Sequence, residues 1–427
     1  MINYEKKEEV KEMKIRLAVI FGGESVEHEI SIISAHQVMH ACDKTKYTII
    51  PIYISKNSDW YIGDVLNDIE NYDDLDFIIK NAKKVKLVTD NNRYFLYGYP
   101  FKMMKSKPLA EFDVAFPVVH GTNLEDGTLQ GLLEANKIPY TGPNIAGAAV
   151  GQDKVLMKMI WQASDLPVLP YVWFYDSQWL ELKDEYTKTL KKRLGFPVIV
   201  KPANLGSSIG ISLAKDEKAL IRAIDEAIKY DTKIIVEKAL TDFSEYNCSV
   251  MGNNAHVRAS VIEEVFGTGE VLSYQDKYQG NGKGPAKTEA GQKTVSQQLK
   301  TGNGTKGSAG MASTSRQIPA KLNKKMTEAI QGLSEVSFQT LGMSGVSRID
   351  FLVDNNTKKI YLNEINTIPG SLAFYLWEAS DVHFSQLIDE LVTIAIDRFK
   401  MKERMTFTYD TNILAQQKQF GVKMGKK

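Results

Sequence analysis

Apolar residues in this chain fall into short blocks separated by longer amphipathic stretches, which is the pattern of strands interleaved with helices. Residues 15–21 form the first block and read as a buried strand. It ends at Gly22-Gly23-Glu24-Ser25, and Glu27-His28-Glu29-Ile30-Ser31 then leads into helical spacing over residues 32–42. Strand, glycine turn and helix start together open a βαβ unit, whose ligands sit at that turn. Strands are also expected at 47–55 and 114–119, and edge strands at 83–88 and 93–99, with residues 56–111 otherwise mixed. A helix over 128–136 starts beside Asp126, and Pro139-Tyr140-Thr141-Gly142-Pro143 is a turn cluster suited to a domain boundary.

Beyond that boundary the spacing predicts a helix at 155–163, a strand at 167–175, an amphipathic helix at 178–194, a helix at 216–229 and a strand at 233–236. Residues 246–251 and 255–266 read as antiparallel strands. Glycine, lysine, serine and threonine dominate 274–320, a long loop of the kind that is functional or disordered. A helix over 319–341 ends at Gly342, a hairpin follows at 347–354 and 360–367, and residues 372–377 and 384–399 are apolar and helical. The expected fold class is α/β and α+β with a doubly wound, parallel-sheet N-terminal domain. The expected units are 1–142 (with 1–14 as an arm), 143–240, 241–399 with its loop 274–320, and a polar tail at 400–427.

Composition narrows the function classes. A net charge of +1 over 427 residues gives no field favouring nucleic acid or an acidic membrane. Two distant cysteines, Cys42 and Cys248, cannot make a disulfide framework, which suits a reducing cytoplasm. No apolar run approaches the roughly 20 residues of a membrane span, and the charged N-terminus lacks the apolar centre of a signal peptide. His36 and His40 have metal-binding spacing but no third ligand nearby, so a surface pair is expected.

Two stretches carry chemistry. Lys201-Pro202-Ala203-Asn204-Leu205-Gly206-Ser207-Ser208-Ile209-Gly210 follows the strand signature of 196–200 and precedes another apolar run. This is a hairpin with a small-residue tip whose bare N–H groups can cradle a phosphate, with Lys201 as a point charge beside them, or else an ordinary surface hairpin. In the hairpin of 347–367, alternation puts Arg348 and Asp350 on one face, and Glu364 and Asn366 on one face of the partner strand. A five-residue loop, 355–359, pairs Asp350 with Glu364, whereas a four-residue loop sets them on opposite faces. Opposed carboxylates repel unless a cation lies between them, and two carboxylates with an amide oxygen suit Mg²⁺, the alternative being a solvated, charge-paired sheet face. Glu27, at a glycine turn, could meet a substrate amine or favour the helix dipole. The Gly22-Gly23 pair lacks the G-x-G-x-x-G dinucleotide fingerprint, which argues against a dehydrogenase.

These blocks, together with His120-Gly121 through Gly131, Asp153-Lys154, Glu237-Lys238, Lys277-Tyr278 and Glu364-Ile365-Asn366-Thr367-Ile368-Pro369-Gly370, resemble the D-alanine–D-alanine ligase family of the ATP-grasp superfamily, in the family's order from residue 15 to about 395. The resemblance implies a three-domain ATP-grasp fold: an N-terminal substrate-binding domain, a central lid domain and a C-terminal catalytic domain. It implies that ATP phosphorylates a D-alanine carboxylate and that the amine of a second D-amino acid attacks the acylphosphate, feeding peptidoglycan precursors. Two Mg²⁺ or Mn²⁺ ions, a homodimer and a cytoplasmic location come with it.

Carried over residue by residue, Lys154 and Lys201 contact ATP phosphates and Ser208 covers them. Glu237, Lys238 and Leu240 line the adenine pocket, and Glu245 binds the ribose. Asp350, Glu364 and Asn366 hold metal. Arg348 and the Gly370 N–H stabilise the tetrahedral intermediate. Glu27 anchors the first ammonium, and Glu27, Ser207 and Tyr278 form a closing hydrogen-bonded chain. His120 helps hold the first substrate, while Lys277, Ser371, Tyr375 and Leu376 face the second. Three departures stand out: Tyr375-Leu376 where the family usually has serine-leucine, a longer loop after Tyr278, and His28 where arginine is frequent. Related readings are a ligase with another acceptor, such as D-serine, and an inactive nucleotide-binding regulator.

Overall fold

The strands form three sheets, the first buried on both faces at its centre, where consecutive residues 17–21 are all covered. The computed structural model describes residues 13–101, 107–206, 209–266 and 315–408. Ser207, Ser208, Lys277, Tyr278, most of 274–320 and the tail beyond 408 lie outside the described residues. Among the described residues no helix is long and apolar enough to cross a membrane.

The first sheet holds β1 (Ile15–Gly22), β2 (Tyr47–Ile54), β3 (Trp60–Ile62), β4 (Lys83–Asp90), β5 (Arg93–Gly98), β6 (Ala110–Phe112) and β7 (Val114–Val118), in the order β6-β5-β4-β3-β2-β1-β7. Only β2, β1 and β7 run parallel. The doubly wound unit is therefore narrow, and an antiparallel meander extends it. Asn91 and Asn92, both at positive φ, form the tight two-residue turn between β4 and β5. Helix α1 (His28–Ala41) packs Ile32, Ala35 and Val38 on β1. The same helix corrects the reading of His36 as a surface residue. His36 is buried beneath the short turns of 64–73, its ring nitrogens 2.9 and 3.2 Å from the Ile32 and Leu66 carbonyl oxygens. Those covering turns lie in the stretch where the sequence pattern was mixed.

Helices α2 (Leu75–Asn81) and α3 (Thr128–Ala135) complete this part, and α4 (Ile145–Gln152) and α5 (Lys154–Ala163) lead out of it. The second sheet, β10-β9-β11-β8, is antiparallel: β8 (Tyr171–Tyr175), β9 (Val198–Pro202), β10 (Ser212–Ala214) and β11 (Lys233–Lys238). Val198, Val200, Ile234 and Val236 pack against α6 (Asp176–Leu194) and α7 (Glu217–Ala227). The other face carries Ile199, Lys201, Ile235 and Glu237, paired across β9 and β11.

The third sheet is β14-β13-β12-β15-β16, formed by β12 (Phe243–Gly252), β13 (Val257–Phe266), β14 (Ser315–Gln317), β15 (Gly345–Asp354) and β16 (Ile360–Asn366). Cys248, Ile262, Ile349, Phe351 and Ile365 make a core with Ile330 and Phe338 of α8 (Lys324–Thr340). Helix α5 is shared: Val155 packs on the second sheet, while Met157 and Trp161 enter the core of the third. After the short α9 (Phe374–Glu378), α10 (Phe384–Glu403) packs Leu387, Ile388 and Leu391 into the core of the first sheet. It runs past residue 400, where the polar tail was expected to begin, and Lys400 and Lys402 in its last turn complement the helix dipole. Arg398 ties α10 to the turn after α3, donating to the Gly142 and Tyr140 carbonyls at 2.7 Å each.

Candidate active site

The hairpin β15–β16 pairs Arg348 with Asn366 and Asp350 with Glu364, so the four groups share a face. The route differs from the simple loop argument. Val353 pairs with Ile360, and a bulge at Asn363 then shifts the register by one to bring Glu364 opposite Asp350. The extra residue is used: the Asn363 amide oxygen accepts from Lys201 Nζ at 3.2 Å. Arg348 grips Asp350 through two bonds of 2.7 and 2.8 Å, and the Asn366 amide donates to the same carboxylate at 3.1 Å. Burial works against the Arg348 charge, but Asp350 more than offsets it and raises the guanidinium pKa.

Register extends this face across the sheet. Glu263 pairs with Asn247, Asn247 with Asp350, and Asp350 with Glu364, so one row of polar groups crosses four strands. Glu245 lies two residues from Asn247 on the same face. The apolar core is on the far side, so this polar face is free to be a reaction platform.

Facing it is the inner face of the second sheet. Lys201 Nζ donates to Glu237 Oε2 at 2.7 Å, and Lys158, one helical turn after Lys154 on α5, lies 3.0 Å from Glu237 Oε1. Burial alone would raise the Glu237 carboxyl, but the two ammonium groups bring it down to about 2. Lys154 donates to the Leu205 carbonyl at 2.7 Å and lies 3.8 Å from Glu364. Asp153 caps α5 through the Val155 and Leu156 N–H groups and pairs with Lys233 at 2.5 Å, which fixes where Lys154 and Lys158 point. Three buried lysines thus meet two carboxylates, Glu237 and Glu364. The Glu245 carboxylate also acts on Lys201, and Lys154 and Lys201 are the ammonium groups placed to meet an anionic phosphate chain. Lys238 Nζ instead donates to the Phe196 carbonyl at 3.1 Å, and Leu240 is half-buried beyond β11.

The glycine turn of the first sheet reaches the same cleft. An added Cβ at Gly206 would sit 3.2 Å from the Glu27 carboxylate, and one at Gly121 would sit 3.1 Å from it. Glu27 is therefore packed against the hairpin tip, next in sequence to Ser207. His120 has its ring nitrogens 2.9 Å from the Ile368 carbonyl oxygen and 3.2 Å from Ser34 Oγ, and Ser34 Oγ accepts from the Ser371 N–H at 2.9 Å. Ser371, Leu372 and Ala373 are all left-handed, with φ of 53, 54 and 50°. For L-residues this costs about 1–2 kcal/mol each, and the buried Leu372 and Ala373 side chains hold it in place. This strained turn links Gly370 to Tyr375 and Leu376.

Glu125 joins the two sides. Its carboxylate accepts from the Gly121 N–H at 3.0 Å, and from the Thr367 hydroxyl and Ile368 N–H at 2.8 Å each. Burial and the nearby Glu27 charge push its pKa up to about 7. A carboxyl raised on folding contributes stability at acid pH that is lost as pH rises from its unfolded value through about 7. Glu125→Gln is therefore expected to flatten the fall in urea-unfolding midpoint between roughly pH 5 and pH 8. It is also expected to slow turnover, because the amide NH₂ must oppose one of three donors.

Lys158, Asn363, Ser34, Glu125, Glu263 and Arg316, whose guanidinium lies 3.0 Å from Glu263, join these clusters without having been singled out in the sequence. The i, i+4 spacing from Lys154 points to Lys158, and strand alternation points to Glu263. For Arg316 and the Asn363 bulge the sequence holds no signal.

Two polar sheet faces closing on buried lysines and carboxylates, with an α/β unit reaching the same cleft, define an ATP-grasp carboxylate–amine ligase. The family model for the D-ala D-ala ligase N-terminus matches residues 16–143, and that for the D-ala D-ala ligase C-terminus matches 160–303 and 304–393. A D-alanine–D-alanine ligase of Thermosipho melanesiensis is 37% identical over 96% of this chain and 100% of its own length. One from Geobacillus thermodenitrificans is 34% identical over 93% of this chain and 100% of its own. Among solved structures, the D-alanine-D-alanine ligase of Coxiella burnetii superposes with a TM-score of 0.68 at 27% identity, covering 92% of this chain and 96% of that one. The VanG D-Ala:D-Ser ligase of Enterococcus faecalis gives 0.70 at 25% identity, covering 90% and 100%. The chain belongs to the D-alanine–D-alanine ligase family.

Proposed function

We propose that this protein joins two D-alanines, using ATP, through an acylphosphate. The observation that carries this reading is the juxtaposition of Lys154 and Lys201 with the Asp350–Glu364–Asn366 face, together with the family membership. Lys154 and Lys201 neutralise the phosphate chain, with Lys158 keeping Glu237 ionised beside them. Asp350, Glu364 and Asn366 are the hard-oxygen groups that would hold magnesium or manganese. Among the described residues no three His, Cys, Asp or Glu groups gather as a closed metal site. Ions held by these groups would take their remaining ligands from phosphate and water. Bound there, such ions supply charge neutralisation for phosphoryl transfer.

The carboxylate oxygen of the first D-alanine attacks the γ-phosphorus and ADP leaves. Glu27 pairs with the ammonium of that substrate. The amine of the second D-amino acid then attacks the acyl carbon, phosphate departs with the bonding electrons, and the amine proton passes to phosphate or solvent. Arg348 and the Gly370 N–H stabilise the oxyanion formed on the way. Glu237, Lys238 and Leu240 receive the adenine and Glu245 the ribose. The homodimer and cytoplasmic location remain part of this reading through the family alone.

Purified enzyme is expected to release ADP and phosphate only when D-alanine is present. ATP turnover that a panel of D-amino acids leaves unchanged would sink the proposal. Tyr375 and the likeness to a D-Ala:D-Ser ligase favour one rival, D-serine as acceptor. Mass spectra of products from D-alanine with mixed acceptors separate the two.

A further inference from the structure

The turn over residues 367–373 leaves β16 of the third sheet, yet side chains of the N-terminal unit hold its backbone. Glu125 accepts from the Ile368 N–H at 2.8 Å, and His120 Nδ1 lies 2.9 Å from the Ile368 carbonyl oxygen. A carbonyl can only accept, so Nδ1 carries the proton. Burial lowers the His120 pKa, which leaves Nε2 as an acceptor for the Ser34 hydroxyl, 3.2 Å away. The Ser34 oxygen in turn accepts from the Ser371 N–H at 2.9 Å, and both serines are buried. Beyond the turn, the Tyr375 hydroxyl donates to Glu263 Oε2 at 3.1 Å, which fixes the far end to the third sheet. Inside it, the Leu372 N–H donates to the Pro369 carbonyl at 2.8 Å. A trans peptide points its N–H opposite its C=O, so the Gly370 N–H, in the same peptide, faces out of the turn. Ser371, Leu372 and Ala373 are left-handed without a glycine among them, a backbone that persists only where its surroundings over-determine it. Ser34 supplies one of those constraints, one residue from Gly370.

We propose that Ser34 is a positioning residue for the acyl-transfer half of the reaction: by holding the Ser371 N–H it keeps the Gly370 N–H where the oxyanion forms. This rests on the ligase reading above and assigns Ser34 to one of its two steps. Those steps make different demands. Attack of a carboxylate oxygen on the γ-phosphorus creates no tetrahedral carbon, so it makes no use of an oxyanion donor. Attack of the amine on the acyl carbon does, and a donor displaced even slightly loses much of its effect. Without the Ser34 hydroxyl, the Ser371 N–H and His120 Nε2 lose their shared partner in a buried place, and the left-handed run is free to relax. The acylphosphate should still form. It should then wait longer for the amine and return its phosphoryl group to ADP more often.

The test compares the two steps within one reaction. ATP carrying ¹⁸O in the bridge between its β- and γ-phosphates is given to the enzyme with saturating D-alanine. Once the γ-phosphoryl group has moved to the carboxylate, the β-phosphate of bound ADP can rotate, and return of the group leaves label in non-bridging positions. Phosphorus NMR counts the scrambled ATP and mass spectrometry counts the dipeptide. Loss of active protein lowers both counts together, and saturating D-alanine removes any effect on acceptor binding. S34A is expected to raise the ratio of scrambled ATP to dipeptide about 10- to 100-fold, and S34T, which keeps a hydroxyl, to stay near the wild type. If S34A does not fold, S34C, which keeps the shape of the side chain with a poorer hydrogen-bonding atom, is expected to show a rise in the same direction. A wild-type ratio in whichever hydroxyl-free variant folds, or an S34T ratio as high as that of S34A, overturns the assignment. Wild-type enzyme that makes no dipeptide from D-alanine means that the ligase reading fails and takes the assignment with it. Dipeptide with an unchanged variant ratio means that only the Ser34 assignment fails.

Discussion

Lys201→Ala is expected to lower D-alanine-dependent ATP turnover by about 10²–10³-fold, the scale of removing one preorganised charge from a transition state. The protein should stay folded. Lys201 pairs with the buried Glu237, and losing one partner of a buried pair usually costs about 3–5 kcal/mol because a charge is left uncompensated. Here Lys158 lies 3.0 Å from the other Glu237 oxygen, so the carboxylate keeps a counterion. ADP release and a thermal melt on the same preparation check both halves. Unchanged turnover would refute the role given to Lys201, and a collapsed melt would show that Lys158 does not compensate.

Asp350→Asn should produce a comparable loss with a different accompaniment. Asp350 is both one of the groups proposed to hold metal and the partner that neutralises Arg348. Its removal leaves a buried guanidinium without its main partner, so stability should fall by several kcal/mol as well. Glu364→Gln separates the two effects. Glu364 lies 3.8 Å from Lys154, which also donates to the Leu205 carbonyl, and its side chain is more exposed. That variant should need more magnesium for half-maximal activity while melting close to the wild type. Magnesium titrations of both variants, with melts, test this. Identical magnesium dependence in wild type and Glu364→Gln would remove Glu364 from the metal face.

Local patterns that repeat with strand or helix period were legible in the sequence. The apolar run of β1, its glycine turn and the start of α1 follow from hydrophobic periodicity, and alternation puts Arg348 with Asp350 on one face of β15 and Glu364 with Asn366 on one face of β16, but it does not by itself bring the two pairs together. The Asn363 bulge did not follow, because a bulge depends on what the extra residue meets, and here that is Lys201 from another sheet. His36 was misread for a similar reason: the turns that bury it come from a stretch without periodic pattern. The place of Arg316 was invisible, since it is set by contacts with Glu263 and Tyr375, far away in sequence. The left-handed run at Ser371, Leu372 and Ala373 contains no glycine to announce it. What local chemistry specifies was readable, and what distant elements specify was not.

The central claim is that the carboxylate of one D-alanine is activated by direct phosphorylation. D-alanine labelled with ¹⁸O in both carboxylate oxygens, incubated with ATP and the enzyme, tests it in one experiment. The account predicts D-alanyl-D-alanine by mass, and one ¹⁸O atom in each phosphate released with it, carried over from the acylphosphate. Dipeptide accompanied by phosphate free of ¹⁸O would contradict it.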